Sequence, residues 1–264
     1  MIKKILYKAL SFILGDLVAQ EIKLFYRIFK IRVFKLFESL GFSYYSNPYK
    51  FFLTNKNIDD EFYDLEKIMN KKNGLYFEIG ACDGWFESPT YLLSVKYNWH
   101  GVLADANNEF LQLVNYYRPK DEVVHAACGS FEMCKDKSEI DFLNLYHSGE
   151  VYFDDKSSSD WALKQIKENN KKPSKAPLKT ITDIILNSKL LSGKRIDLIV
   201  LDVEGFELEI LKGYDFKSIK TDYFLIECRT ADEFINIKEF LLLKDYNFLR
   251  KTSSIDYLFI NHDL

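Results

Sequence analysis

From Leu75 onward, short unbroken apolar runs alternate with segments of helical periodicity. The runs are Leu75–Ile79, Gly101–Asp105, Val123–Ala127, Ile196–Asp202 and Tyr223–Glu227. The helical segments are Thr90–Tyr97, Asn108–Tyr117, a start at Leu208–Lys212 stopped by Gly213, and Ala231–Leu243. A strand apolar on both faces must be covered on both faces. Helices between successive strands provide that cover in a parallel sheet. Two last runs, Phe248–Arg250 and Tyr257–Ile260, predict a terminal hairpin and therefore one antiparallel edge. The expected fold is α/β, a Rossmann-like doubly wound sheet.

The chain has 264 residues, 47% of them hydrophobic and 28% charged, enough for one large core or for a core with an appendage. Its net charge of −3 gives no reason to expect nucleic acid as a partner. Four cysteines (Cys82, Cys128, Cys134, Cys228) form no CxxC pair, which argues against a zinc site or a disulfide framework and for a reducing cytoplasm. Charge is unevenly placed: residues 1–40 carry net +5 and the remainder −8. Their apolar spacing predicts basic amphipathic helices. The uncharged run Ala9–Gly15 is too short to cross a bilayer, and no small-residue cleavage site follows it. Two readings stay open: a peripheral membrane contact at the inner face, or a helix packed on the domain or on a dimer partner. The domains are therefore a helical extension over 1–60 and an α/β domain over 61–264. That domain carries a polar, loop-like insertion at about 131–191, which is either placed to recognise a substrate or a solvated surface loop.

Four features stand at the carboxyl ends of successive strands, the edge where such sheets bind ligands. They are Glu78-Ile79-Gly80-Ala81-Cys82-Asp83-Gly84, Asp105, Ala126-Ala127-Cys128-Gly129 and Asp202-Val203-Glu204-Gly205. Gly80 and Gly84 allow backbone to approach a ligand. Asp105, at the end of the second strand, is placed to take the two hydroxyls of a ribose. A GxGxxG reading fails because Cys82 stands at the second glycine. Asp202 and Glu204, one residue apart, share a face if the chain is extended. Such a pair suits a general base, a contact to a cationic cofactor, or a divalent metal. Glu207 and Glu209 suit the electropositive start of the following helix. Glu78 and Asp105 could also be capping or turn residues, and Asp202 and Glu204 a capping pair.

The block Ile-Asp-Leu-Ile-Val-Leu-Asp-Val-Glu-Gly-Phe-Glu-Leu-Glu-Ile-Leu-Lys-Gly, residues 196–213, resembles the signature of the FkbM-type methyltransferases. The acid-x-Gly-Ala-x-x-Gly loop at 78–84, Ser88-Pro89-Thr90, Trp99-His100-Gly101 and Ala126-Ala127 resemble that family too. The likeness covers about residues 75–260. It implies a class I S-adenosylmethionine-dependent methyltransferase, with a seven-stranded, mostly parallel sheet ending in an antiparallel hairpin. It also implies O-methylation of a hydroxyl, most readily of a sugar in a surface polysaccharide or related intermediate. By position, Glu78, Gly80, Ala81, Asp83, Gly84, Asp105, Ala106, Ala127 and Asp202 would line the cofactor. Glu204 would approach the reacting hydroxyl. Two departures stand out: Glu78 replaces the commoner Asp, and Asp105-Ala106 replaces a Glu-Pro-like pair.

A sugar hydroxyl is a weak nucleophile until its proton leaves, so a base within hydrogen-bond reach is expected. Glu204 is the first candidate, Asp202 the second, and His147 in the insertion the third. Trp85, Phe86, Tyr146, Tyr152, Phe153 and Trp161 could stack on sugar rings. No metal ligand is assigned, though Asp202 and Glu204 could hold a divalent ion. Two rivals remain at this stage: a nicotinamide-dependent oxidoreductase or epimerase, and a non-catalytic subunit of a glycan assembly complex that retains the fold.

Overall fold

The computed structural model describes residues 63–85, 88–145, 148–151 and 174–264, with Phe29, Val33, Leu36 and Leu40. The chain divides into two units, Met1–Asp60 and Glu61–Leu264, and the second is described below. Apart from those four positions, the helices expected over 1–40 lie outside the described residues. So do Phe86, Tyr146, His147, Tyr152, Phe153 and Trp161. Among the described residues no helix is long and apolar enough to cross a membrane.

The first half runs α1 (Tyr63–Met69), β1 (Leu75–Ile79), α2 (Pro89–Tyr97), β2 (His100–Asp105), α3 (Asn108–Tyr117) and β3 (Glu122–His125). The second half supplies β8 (Ile196–Leu201), α6 (Glu207–Leu211), β9 (Thr221–Glu227), α7 (Ala231–Leu242), β10 (Tyr246–Lys251) and β11 (Asp256–Asn261). Together they form one seven-stranded sheet in the order β10-β11-β9-β8-β1-β2-β3. β1, β2, β3, β8 and β9 pair in parallel, and β11 pairs antiparallel with β9 and β10. The expected fold class is therefore present, closing hairpin included.

Sequence explains these elements locally. Every residue of β8 is buried, as a central parallel strand requires. Its one charge, Asp197, sits near the amino end, where it accepts the Leu75 amide (2.7 Å) and pairs with Lys71. Pro89 opens α2 in the first turn, where its missing N–H costs nothing. Asn107 caps α3 through Glu109 N (3.0 Å). Thr230 and Glu233 form a reciprocal capping box on α7. Gly74 stands immediately before β1. A Cβ there would lie 2.3 Å from the Trp99 ring, so the glycine admits that fully buried indole.

The insertion differs from the polar loop expected. It contains α4 (Phe131–Asp136), β5 (Glu139–Leu145), β6 (Ser148–Val151), β7 (Ser174–Lys179) and α5 (Ile181–Asn187). The third expected strand, Val123–Ala127, is split. β3 leaves the main sheet at His125, and Ala127–Cys128 forms β4, the first strand of a second sheet ordered β4-β7-β5-β6. The physical cause is a period-two pattern hidden among polar residues. Ile140 and Phe142 on β5 and Ala176 and Leu178 on β7 bury one face together with Ala106 and Ala127.

Candidate active site

The order of strands across the main sheet switches sides between β1 and β8: β2 and β3 are added to one side, β8 and β9 to the other, all in parallel. Open α/β sheets bind ligands at such a switch point. The loops leaving β1 and β8 touch there through their backbones. Gly80 has φ +82°, and a Cβ on it would sit 1.7 Å from the Asp202 carbonyl oxygen. Asp202 N donates to Ile79 O (3.1 Å), and Gly80 N and Ala81 N both donate to Ala104 O (3.0 and 3.1 Å). Cys82 is left-handed at φ 49°, and the turn closes with Gly84 N on Ala81 O (2.7 Å). A cysteine at the second glycine position is thus held in the glycine-like conformation, with its N–H bound by Asp105 Oδ2 (2.8 Å).

Asp105 ends β2 and is 8% exposed. Its other oxygen, Oδ1, accepts Asn107 N (2.7 Å). Burial raises its pKa, opposed by those two amides and by His125. Each carboxylate oxygen keeps a second lone pair, so a vicinal diol can still be accepted. Two residues on, Asn107 is 2% exposed and its side-chain Nδ2 has no partner among the described residues. A buried acceptor and a buried unpaired donor, beside a glycine turn that a Cβ would fill, match the mixed hydrogen-bonding of an adenosine moiety. Ala106 and Ala127 are brought together in the apolar cluster under the second sheet, with Phe206 from the β8 loop packed on it.

Glu78 and Asp83 face elsewhere. Glu78 is 2% exposed and accepts both the Ser88 (2.9 Å) and Thr90 hydroxyls on Oε2. Burial raises its pKa, and Arg118 counters. Asp83 is fully buried and accepts Trp85 N (3.1 Å). These two acids build the walls behind the turn.

The β8 loop gathers carboxylates. Asp202 is half-buried, and its pKa rises to about 7 from burial first, then from Asp256 and Glu207. It hydrogen-bonds Glu227 at the end of β9, whose own pKa is pushed to about 9 by burial and by Asp202. Glu204 is left-handed at φ 66° and ion-paired with Arg229, which also holds Glu227 (3.2 Å). Glu207 accepts Val203 N (3.1 Å) and Gly205 N (3.2 Å) and so folds the loop. Its pKa is about 7, raised by burial. Glu207 is therefore more than a favourable charge at a helix start. Glu227, Arg229 and Asp256 join this cluster from outside the motifs, and Glu227 ends β9 as Asp105 ends β2. Among the described residues no group of three or more His, Cys, Asp or Glu could hold a metal ion.

Comparison with known proteins adds the family. A family model described as the methyltransferase FkbM domain matches residues 78–252. No curated protein matches the chain. Among solved structures, the chain is similar to the methyltransferase FkbM from Methylobacillus flagellatus. Identity there is 12%, the TM-score is 0.44, and the match covers 72% of this chain and 43% of that one. It is also similar to a putative RNA methyltransferase from Pyrococcus horikoshii (9%, TM-score 0.41, 77% and 83% covered). A third is TrmK of M. capricolum in complex with S-adenosyl-homocysteine (12%, TM-score 0.41, 79% and 67% covered).

Proposed function

The chain belongs to the FkbM methyltransferase family, and on that premise we propose that it O-methylates a hydroxyl, most readily a sugar hydroxyl of a glycan or its biosynthetic intermediate. It is an S-adenosylmethionine-dependent methyltransferase. When bound, S-adenosylmethionine would supply a sulfonium-activated methyl group: its S–CH3 bond would break as the acceptor oxygen becomes a methyl ether, with S-adenosylhomocysteine leaving and one proton released. The residues around the switch point account for the rest. The Gly80–Gly84 turn and Asp105 hold the nucleoside end, and Asn107 Nδ2 is a further donor for it. Ala106 and Ala127 give an apolar wall shared with the second sheet.

The observation that carries the reading is Asp202, in backbone contact with Gly80 and titrating near neutrality. A carboxylate with pKa about 7 is a well-matched acceptor for the hydroxyl proton. Glu204, neutralised by Arg229, is better suited to orienting the acceptor than to taking the proton. Asp202 therefore takes precedence over Glu204 as base. The nicotinamide alternative loses its ground with the family membership.

The test is incubation of the full chain with methyl-labelled S-adenosylmethionine and a panel of sugar-bearing acceptors. Label recovered as an alkali-stable ether supports O-methylation. Label recovered on nitrogen or carbon only would refute it. Asp202→Asn should lower turnover by roughly 10²- to 10⁴-fold, the span of general-base catalysis.

A further inference from the structure

Arg118 closes α3 as its C-cap residue, with a side chain that is 0% exposed. Its guanidinium has five N–H donors, and all five find acceptors. Nε donates to Asp121 Oδ2 (2.8 Å). Nη1 donates to Gly84 O (3.0 Å) and Ser88 Oγ (3.5 Å), and Nη2 to Thr90 Oγ1 (3.0 Å) and the Tyr76 hydroxyl. The Ser88 and Thr90 hydroxyls each give their single proton to Glu78 Oε2, so their lone pairs are what Arg118 binds. Glu78 and Arg118 are thus a buried charge pair joined through two hydroxyls. Tyr76 in turn donates to Asp121 Oδ2, and Asp121 Oδ1 accepts Gly101 N (3.0 Å) at the start of β2.

One of these contacts reaches the site. Gly84 O is the exit carbonyl of the cofactor turn, and a buried carbonyl needs a donor. Arg118 supplies it. The same residue ends the helix that Asn107 begins, two residues after Asp105. One guanidinium therefore ties the turn after β1 to the element that follows the ribose acid.

We propose that Arg118 is a positioning residue for the cofactor: its hold on Gly84 O, balanced by Glu78 through Ser88 and Thr90, keeps the Gly80–Gly84 turn in the shape that receives S-adenosylmethionine. This rests on the methyltransferase reading above. Lysine cannot substitute, because a point charge with three donors cannot serve five acceptors fixed in a planar fork.

The experiment is calorimetric titration of the full chain with S-adenosylhomocysteine, alongside thermal melts of each variant. Thr90→Val keeps shape and removes the hydroxyl, leaving a guanidinium donor and the Glu78 carboxylate short of a partner. Thr90→Ser restores the hydroxyl. Ile237→Val, in the core on α7, loses stability away from the turn. Arg118→Lys and Thr90→Val should each weaken binding about tenfold or more. Thr90→Ser should rescue it, and Ile237→Val should bind like the wild type despite its lower Tm. If Arg118→Lys does not fold, the valine–serine pair at Thr90 decides. Folded Thr90→Val binding as tightly as the wild type would overturn the proposal and leave the network a stability role only. A wild type that fails to bind would instead overturn the methyltransferase reading itself.

Discussion

Replacing Gly80 by alanine is the most severe single perturbation the site geometry implies. The new Cβ would lie 1.7 Å from the Asp202 carbonyl oxygen, where real Cβ atoms stay beyond 3.0 Å, so one loop must move by more than about 1 Å. Two costs add. An L side chain at φ +82° carries roughly 1–3 kcal/mol of backbone strain. Forcing an extra carbon into a packed contact carries about 1–3 kcal/mol more. A loss of roughly 2–6 kcal/mol follows, read as a lower midpoint in urea. The displaced loop is the cofactor turn, and a misplacement of about 1 Å costs on the order of 10²-fold in a positioned site. S-adenosylhomocysteine affinity should fall on that scale. Gly74→Ala is the control. Its Cβ would meet the Trp99 ring at 2.3 Å, a comparable clash, but just before the start of β1 and away from the ligand edge. It should lose stability and keep affinity once folded. Gly80→Ala binding within threefold of the wild type, or Gly74→Ala losing affinity equally, would refute the reasoning.

Further outcomes can be checked in the same purified material. Burial and neighbouring carboxylates raise the Asp202 pKa from the ordinary 3.8 to about 7, so the folded chain holds the extra proton. Its contribution is present below pH 4 and is lost as pH rises through about 7. Asp202→Asn should therefore lose less stability than the wild type between pH 4 and pH 8 in urea titrations. Equal pH slopes would contradict the shift. Thr230→Ala removes half of the α7 capping box and should cost about 1 kcal/mol without changing cofactor affinity. Gly193→Ala, at φ +70° with no atom within 4 Å of its Cβ, should cost about 1 kcal/mol from conformation alone.

The main sheet was legible because parallel strands buried on both faces are unbroken apolar runs, as Ile196–Leu201 is. The topology also put Glu78, Asp105 and Asp202 at one edge, as the strand-end rule requires. The rule does not say which way a side chain turns. Glu78 is the last residue but one of β1, and Asp105 is the last of β2. One is sequestered by Ser88, Thr90 and Arg118, and the other holds Cys82 N and Asn107 N at the ligand edge. That distinction depends on Arg118, forty residues after Glu78 and ordinary in its local sequence. The second sheet was missed for a different reason. Its buried face is only four residues on two strands, Ile140, Phe142, Ala176 and Leu178, set among lysines, a proline and acids. Alternation that short is lost in a polar background. Glu227 is legible by the strand-end rule alone, since it ends β9 as Asp202 follows β8.

The most direct test of the central claim is calorimetric titration of the full chain with S-adenosylhomocysteine, with NAD in a parallel cell. A methyltransferase built at the β1–β8 switch point predicts saturable one-to-one binding of S-adenosylhomocysteine and none of NAD. Binding of NAD alone, or of neither, would contradict it.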